Sequence, residues 1–119
     1  MPAPDGPQFR GTRQLGDCHS VAFGVCRAFE EEGRENVAVV HAQVDMMGEG
    51  RRLAHAWVEY DKPTNGVTQR MAADHSGRVY EGPAEEYREA LGVQDTQEYS
   101  AVEAALRMLR SGQTGPWDD

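Results

Sequence analysis

The chain has 119 residues, a length that predicts a single domain. Its 20 acidic and 12 basic residues give a net charge of −8, which argues against the basic footprint that nucleic-acid binding needs. No apolar run approaches the roughly 20 residues that span a bilayer, and the start of the chain lacks the basic and apolar segments of a signal peptide. We therefore expect a cytoplasmic protein that binds neither nucleic acid nor membrane.

The chain begins with a predicted arm and a predicted helix. Residues 1–10 hold three of the six prolines and show no periodicity, so a flexible arm is expected there and a single domain over 11–119. Asp17 is a suitable N-cap for a helix from Cys18 to about Glu32. Apolar residues at helical spacing predict one buried stripe on this helix. Its members are Cys18, Ala22, Val25, Cys26 and Phe29.

The hydrophobic period then changes from that of a helix to that of strands. Alternation predicts strands at 36–46, 53–61 and 67–75. The segments MGEG and KPTNG between them carry the glycine, proline and Asn-Gly signals of hairpins, so the strands should form an antiparallel meander. On the middle strand, the side chains that share one face are predicted to be His55, Trp57 and Glu59.

Two further helices are predicted at the C-terminal end. Residues 83–91 open with a proline, and a second helix opens with Ser100 and Glu103 in capping-box spacing. The fold class is therefore α+β: an N-terminal helix packed on a three-stranded antiparallel sheet, followed by two C-terminal helices. The apolar stripe of the last helix, predicted to face the core, consists of Val102, Leu106 and Leu109.

The two cysteines have different expected roles. Cys18 and Cys26 lie eight residues apart on the predicted helix, roughly 12 Å, which is too far for a disulfide. Both should therefore be free thiols in a reducing compartment. The spacing of cysteine and histidine fits no zinc pattern, so neither a metal nor another cofactor is expected. Cys26, in mid-helix, is predicted to be a small buried hydrophobe.

Three residues together predict catalysis by a cysteine. Cys18 is placed at the first turn of the predicted helix, where unpaired N–H groups favour a thiolate. In an antiparallel pair the start of one strand lies beside the end of the next, so His55 and Asp74 can be neighbours at one sheet edge. If the helix begins at that edge, the three form the nucleophile, base and acid of a cysteine hydrolase or acyltransferase.

The strings GDCHSVAFGVCRAF (16–29), HAWVEYD (55–61) and MAADHS (71–76) resemble, in order and spacing, the core of the transglutaminase-like superfamily of papain-like cysteine hydrolases. Small members of this group include the leader peptidases of bacterial lasso-peptide pathways, and phage genomes hold others. The resemblance covers roughly residues 14 to 77 and departs from the family pattern at His75, where proline is common. It implies that Cys18 is the nucleophile, His55 the base and Asp74 the orienting acid.

The resemblance also implies an upstream glutamine as a second oxyanion donor, for which Gln14 is the candidate. Trp57 is open to two interpretations: it either walls the active site as a substrate-binding residue or fills the core. Glu59 lies about 13 Å along the strand from His55, too far to orient its ring.

The other three histidines receive no catalytic role. His19 points about 100° away from Cys18 around the helix and is predicted at the surface. His41 shares the face of Val37 and Val39, which predicts a core or edge histidine. His75 should face the side of the sheet opposite to Asp74.

The expected reaction is attack on an amide carbonyl of a peptide or protein, through a thioester at Cys18. Water as acceptor gives peptide hydrolysis or glutamine deamidation, and an amine gives a transglutaminase. Peptidase activity is placed first, with a groove built from the proline-rich arm, MGEGRR (47–52) and KPTNG (62–66), where Arg51 and Arg52 can meet an acidic substrate. The alternative of another class is a phage or bacterial effector that acts as a protein-binding module. The oligomeric state stays open.

Overall fold

The computed structural model describes residues 14–45, 50, 52–76 and 79–117, and of residues 14–17 it describes only the helical backbone. The predicted arm and Arg51 lie outside this part of the chain. In chain order the elements are α1 (Gln14–Glu31), β1 (Glu35–Val44), β2 (Leu53–Thr64), β3 (Val67–Asp74), β4 (Tyr80–Pro83), α2 (Ala84–Leu91), β5 (Gln94–Tyr99) and α3 (Ala101–Ser111).

The strands form one antiparallel sheet in the order β4-β3-β2-β1-β5. The α+β class and the three central strands are confirmed, but the prediction of a three-stranded sheet was wrong. Both additional strands lie at the edges, where strands can be short and polar. β4 has four residues and ends in Gly-Pro, and β5 buries only Tyr99. Because β5 separates α2 from α3, the two C-terminal helices are not consecutive elements.

Helix α1 begins earlier than predicted. It starts at Gln14, so Asp17 lies inside the helix rather than at its N-cap, and Cys18 is its fifth residue. Because the influence of the helix dipole falls off beyond the first turn, the ionisation of Cys18 depends on its neighbours more than on the helix terminus. The predicted end of the helix is confirmed: Gly33 has a left-handed φ of 84° and its N–H bonds to the carbonyl of Glu30 at 3.0 Å.

The hairpin between β2 and β3 is tighter than the segment KPTNG suggested. Thr64 pairs with Val67 across a two-residue turn. Asn65 and Gly66 both have positive φ, 52° and 79°, which matches the twist of the flanking strands. The rest of KPTNG belongs to β2, so this end of the hairpin extends the sheet.

The two faces of the sheet are covered by different helices. One face packs against α1 and confirms its predicted stripe, while α3 and Trp117 cover Tyr99 on the same side. Helix α2 covers the other face. No helix in the described ranges is long and apolar enough to cross a membrane. The strand residues packed against α1 are Val37, Val39, Ala56, Val58, Tyr60 and Ala73, and those packed against α2 are Val40, Ala42, Val44, Trp57 and Ala72.

Helix α3 begins where predicted, but the face that it buries is not the predicted one. The capping box of Ser100 and Glu103 is confirmed. The predicted core stripe was wrong: the buried residues of the helix are Ala101 and Ala104. Small residues allow α3 to approach Tyr99 and Trp117 closely, and the larger side chains then point away from the sheet. These exposed side chains are Val102, Leu106 and Leu109, at 69%, 45% and 82%.

Candidate active site

The three residues predicted to form the site, Cys18, His55 and Asp74, lie together at one edge of the sheet. Cys18 is only 1% exposed, and hydrogen bonding with the imidazole of His55 is among the causes that lower the pKa of its thiol. The side chain of His55 comes from the third residue of β2, so the first half of α1 lies at the end of the sheet where β2 starts and β3 finishes. The helix thus brings the thiol to this edge, and Asp74, the last residue of β3, completes the group.

The strand register holds His55 beside Asp74. Val58 pairs with Ala73, so Asp74 continues the ladder opposite Trp57, on the same face as His55 and one diagonal position away. The Nε2 atom of His55 lies 2.8 Å from Oδ2 of Asp74. Since the carboxylate accepts, Nε2 carries the hydrogen, and the other ring nitrogen, Nδ1, is left for exchange with the thiol.

The carboxylate of Asp74 is itself held by several donors. Ser76 donates its backbone N–H to Oδ1 at 3.0 Å and its hydroxyl at 2.7 Å. The hydroxyl of Tyr87 donates to Oδ2 in a short hydrogen bond and lies 3.2 Å from Nε2 of His55. Four donors therefore fix the orientation of the acid, which in turn fixes the imidazole ring.

Tyr87 is a site residue that the sequence reasoning missed. It is the one aromatic residue of α2 and, with Ala84, one of its two buried residues. The helix itself was predicted, and the spacing of Ala84 and Tyr87 marks its inner face. The helix has to cross back over the sheet for this face to reach β3, and no local sequence pattern predicts that crossing.

The charges of the group favour an ion pair. Burial disfavours ionisation of the Cys18 thiol, but hydrogen bonds with His19 and His55 outweigh it and lower its pKa to about 6. Burial likewise opposes the imidazolium of His55, while Asp74 and Cys18 together raise its pKa to about 9. The pKa of Asp74 falls to about 2 against its burial, because His55, Tyr87 and Ser76 stabilise the carboxylate. Between about pH 6 and 9 the thiolate and the imidazolium coexist.

His19 is a second imidazole at the thiol, and its predicted surface position was wrong. It is 2% exposed, with Nδ1 3.4 Å from Sγ of Cys18. Its ring centroid lies 4.6 Å from that of His41. The C-terminal segment closes over both rings, since a Cβ on Gly115 would come within 2.6 Å of His41 and 3.0 Å of His19. Helical angle alone could not show this cover, because it comes from the far end of the chain.

His41 is buried, as predicted. Its ring lies 4.9 Å from that of Trp117 and 5.1 Å from that of Tyr99. Burial and the neighbouring His19 lower the pKa of His41 to about 3, so the ring is neutral at physiological pH. In the described part of the chain neither ring nitrogen of His41 has a hydrogen-bond partner, and the same holds for Nε2 of His19.

Trp57 packs beneath the site instead of lining it. It is 1% exposed, with its ring 5.8 Å from that of His55 and 5.2 Å from that of Tyr87. Its Nε1 donates to Glu59 at 3.0 Å, and Arg88 holds the same carboxylate through two hydrogen bonds of 2.7 and 2.9 Å. This burial fits the interpretation of Trp57 as a core residue and corrects its assignment to substrate binding.

The remaining candidates are placed as follows. His75 lies on the face opposite to Asp74, with its ring 6.1 Å from that of Phe29 on α1, as the alternation predicted. The side chain of Gln14 lies outside the described residues, so its role as an oxyanion donor stays a prediction.

The predicted groove is corrected in one part. The KPTNG turn lies at the opposite end of β2, nine residues or roughly 30 Å from His55, and cannot line a groove at the thiol. Arg52 is nearer, and its guanidinium donates to the carbonyl of Gly92 at 2.7 Å. Of the predicted groove segments, residues 1–10 and most of 47–52 lie outside the described chain.

Fold and site together define an α+β domain in which a cysteine, a histidine and an aspartate lie side by side. No protein-family model matches the chain, and the comparisons with curated proteins and with solved structures found no match. The resemblance to the transglutaminase-like superfamily accordingly stays a prediction. What the arrangement can do chemically follows from its geometry: an ionised thiol beside an imidazolium combines a nucleophile with a proton donor.

Proposed function

We propose that the protein is a thiol-dependent hydrolase that attacks an amide carbonyl in a peptide or protein. The observation that carries the proposal is the buried pair of His55 and Asp74, with Nε2 of His55 2.8 Å from the carboxylate, together with the thiol of Cys18, whose pKa His55 helps to lower. A thiolate with a depressed pKa is the reactive form of a catalytic cysteine. An imidazole held by a buried acid is the usual partner for its proton transfers.

The reaction has two halves, and His55 moves a proton in each. In the first, the thiolate of Cys18 attacks the carbonyl carbon and a C–S bond forms. The imidazolium gives its proton to the amide nitrogen as the C–N bond breaks, so an amine leaves and a thioester remains. In the second, neutral His55 takes a proton from water, and the resulting hydroxide attacks the thioester. The C–S bond breaks, a carboxylic acid is released, and the ion pair is restored.

Asp74 and Tyr87 act on this cycle through His55. The charge of Asp74 stabilises the imidazolium, and its four donors keep the carboxylate from rotating away when the ring becomes neutral. The ring of Tyr87 packs against that of Trp57, and its hydroxyl donates to Asp74. An acid held in this way keeps the orientation of the imidazole ring through both halves of the reaction.

Water is the favoured acceptor, and peptide hydrolysis is placed ahead of the other outcomes. An amine acceptor in place of water would make the protein a transglutaminase, and we place that outcome after the two hydrolyses. Deamidation of glutamine uses the same thioester and differs only in the leaving group, which is ammonia. The order of peptidase before deamidase follows the resemblance to small peptidases and is open to direct test.

Intact-mass analysis of bacterial lysate proteins incubated with the protein distinguishes these outcomes. The variants to compare are wild type, Cys18→Ala and, as a matched control on the same helix, Cys26→Ala. We expect new truncated species with wild type and Cys26→Ala, and none with Cys18→Ala. Mass gains of an amide-to-acid change without truncation would make the protein a deamidase, and joined chains would make it a transglutaminase.

The binding-module alternative predicts a different result. If the lysate is unchanged by all three proteins, and the wild type and Cys18→Ala capture the same partner with equal affinity, the thiol is not needed and the hydrolase proposal fails.

A further inference from the structure

Helix α3 has an apolar stripe on its exposed side. Five large hydrophobic side chains are strongly exposed in the described ranges, and three of them lie on this one helix. Val102, Leu106 and Leu109 follow the spacing i, i+4, i+7 and form a stripe within about 60° around the helix axis. Single exposed hydrophobic residues are ordinary, but a continuous stripe of them marks a contact surface.

The exposure of the stripe is not a sign of loose packing. The opposite side of α3 is anchored by Ala101 and Ala104, at 4% and 0% exposure. Ala101 packs into the cluster of α1 and the sheet, and Ala104 packs against Tyr99 and Trp117. Both ends are capped, by the capping box of Ser100 at the start and by Gly112 at the end. The helix is therefore fixed with its apolar stripe outward.

Two opposite charges flank the stripe on the same side. Glu103 and Arg110 are exposed and lie seven residues apart, about 20° from each other around the axis. In the described part of the chain Arg110 forms no ion pair, and the carboxylate of Glu103 is used only by the backbone N–H of Ser100. The other flank carries no charge, because its residues are Ala101, Ala105 and Met108.

This arrangement is complementary to itself in one orientation. A two-fold axis perpendicular to α3 brings each flank of the helix onto the same flank of a second copy. With the axis at Leu106, Val102 of each copy lies near Leu109 of the other. Glu103 of each copy likewise lies near Arg110 of the other, so the ion pair forms twice. A parallel pair would set the charged flank against the uncharged one and would leave both charges unpaired.

We propose that α3 is a dimerisation surface that pairs antiparallel with α3 of a second copy of this chain. The apolar stripe supplies the attraction, and the reciprocal pairs of Glu103 and Arg110 fix the register. One helix pair buries less than the roughly 800 Å² per partner of a standard interface, so we expect dissociation constants in the range of about 10 µM to 1 mM. The inference is independent of the proposed hydrolase activity.

Sedimentation equilibrium over protein concentrations from about 10 µM to about 1 mM tests the surface. We expect a monomer–dimer equilibrium in the wild type and an association constant at least about tenfold lower in Leu106→Asp. Val67→Asp is the matched control, because Val67 is also an exposed hydrophobic residue, at 67%, but lies at the β2–β3 hairpin. A monomeric wild type at the highest concentration overturns the proposal, as does a dimer that Leu106→Asp leaves unchanged.

Charge reversal tests the register. Glu103→Lys alone and Arg110→Glu alone each place like charges opposite each other twice, so both variants should be monomeric. An equal mixture of the two restores opposite charges in both pairs, and we expect a heterodimer as strong as the wild-type dimer. Circular dichroism verifies that each variant is folded. If the mixture stays monomeric while the wild type dimerises, the antiparallel register is wrong.

Discussion

The two cysteines of α1 lie two helical turns apart in the same apolar cluster, yet they differ in ionisation. The pKa of Cys18 is lowered to about 6. Burial, with the charge of Glu30 adding to it, raises the pKa of Cys26 to about 12. Both side chains are almost fully buried, at 1% and 0% exposure. The comparison teaches that burial opposes both thiolates and that the polar partners reverse its effect only at Cys18.

The partners differ because of where each thiol meets the sheet. Cys18 lies at the edge where β2 starts and β3 ends, and strand ends are where His55 and Asp74 can be placed. Cys26 is packed against the apolar middle of the sheet, where alternation leaves only hydrophobic side chains facing α1. The following changes break or sharpen this difference, from the largest expected effect to the smallest.

Replacing His55 by alanine should have the largest effect, on activity more than on the thiol pKa, because His19 also lowers the pKa of Cys18. Without the imidazolium the pKa of Cys18 rises, and amide hydrolysis loses its proton donor, so we expect activity to fall by roughly 10²–10⁴-fold. His75→Ala is the matched control, since His75 is a neighbouring histidine on the opposite face of the sheet. Steady-state rates with a peptide substrate measure the effect. Retention of activity in His55→Ala would show that His55 is not the base.

Alkylation at about pH 7 should distinguish the two cysteines in the wild type. The thiolate of Cys18 predominates there, whereas Cys26 is almost entirely protonated. Because a thiolate of low pKa is intrinsically a weaker nucleophile, part of this advantage is lost, and we expect at least roughly 10²-fold faster labelling at Cys18. Peptide mapping after brief iodoacetamide treatment measures the ratio. Equal labelling of both residues, or labelling of Cys26 alone, contradicts the assignment.

Asp74→Asn should narrow the pH range of activity. In the wild type the ion pair forms as Cys18 loses its proton near pH 6 and is lost as His55 loses its own near pH 9. Removal of the carboxylate charge destabilises the imidazolium, so the pKa of His55 falls and the alkaline limb of the pH–rate profile moves to lower pH. The less stable imidazolium also stabilises the thiolate less, so the pKa of Cys18 rises and the acid limb moves to higher pH. We expect the rate at the optimum to fall by less than the roughly 10²–10⁴-fold loss expected for His55→Ala, because the imidazole itself remains. Unchanged limbs would mean that Asp74 does not act through His55.

His19→Phe should have the smallest effect on catalysis, because His55 and Asp74 stay in place. One hydrogen bond to the charged thiolate is lost, and at about 1.5–3 kcal/mol this raises the pKa of Cys18 by about 1–2 units. His19→Asn is the control, because its amide can place a donor where Nδ1 lies. The pH dependence of alkylation measures the shift. An equal shift in both variants would indicate a packing effect and not the hydrogen bond.

The parts of the site that depend on local pattern and short connections could be predicted from the sequence. Alternation placed the three central strands, and the short hairpin put His55 beside Asp74. The start of α1, four residues before Cys18, was missed because Asp17 is an acceptable N-cap and also tolerable inside a helix. Strands β4 and β5 were missed because edge strands need no hydrophobic alternation.

The remaining misses depend on contacts between distant parts of the chain. Tyr87 reaches Asp74 only because α2 crosses back over β3, and His19 is buried only because the segment at Gly115 folds over it. The orientation of α3 was inverted for a related reason. Its buried residues are Ala101 and Ala104, so its large apolar side chains are exposed although their spacing is that of a core stripe.

The most direct test of the account is a pH titration of the thiolate, followed by its ultraviolet absorbance, in wild type, Cys18→Ser and Cys26→Ser. The account predicts a transition near pH 6 in the wild type that persists in Cys26→Ser and disappears in Cys18→Ser. A transition of Cys18 close to the ordinary thiol value of about 9 would contradict it, because His55 and His19 would then not stabilise the thiolate.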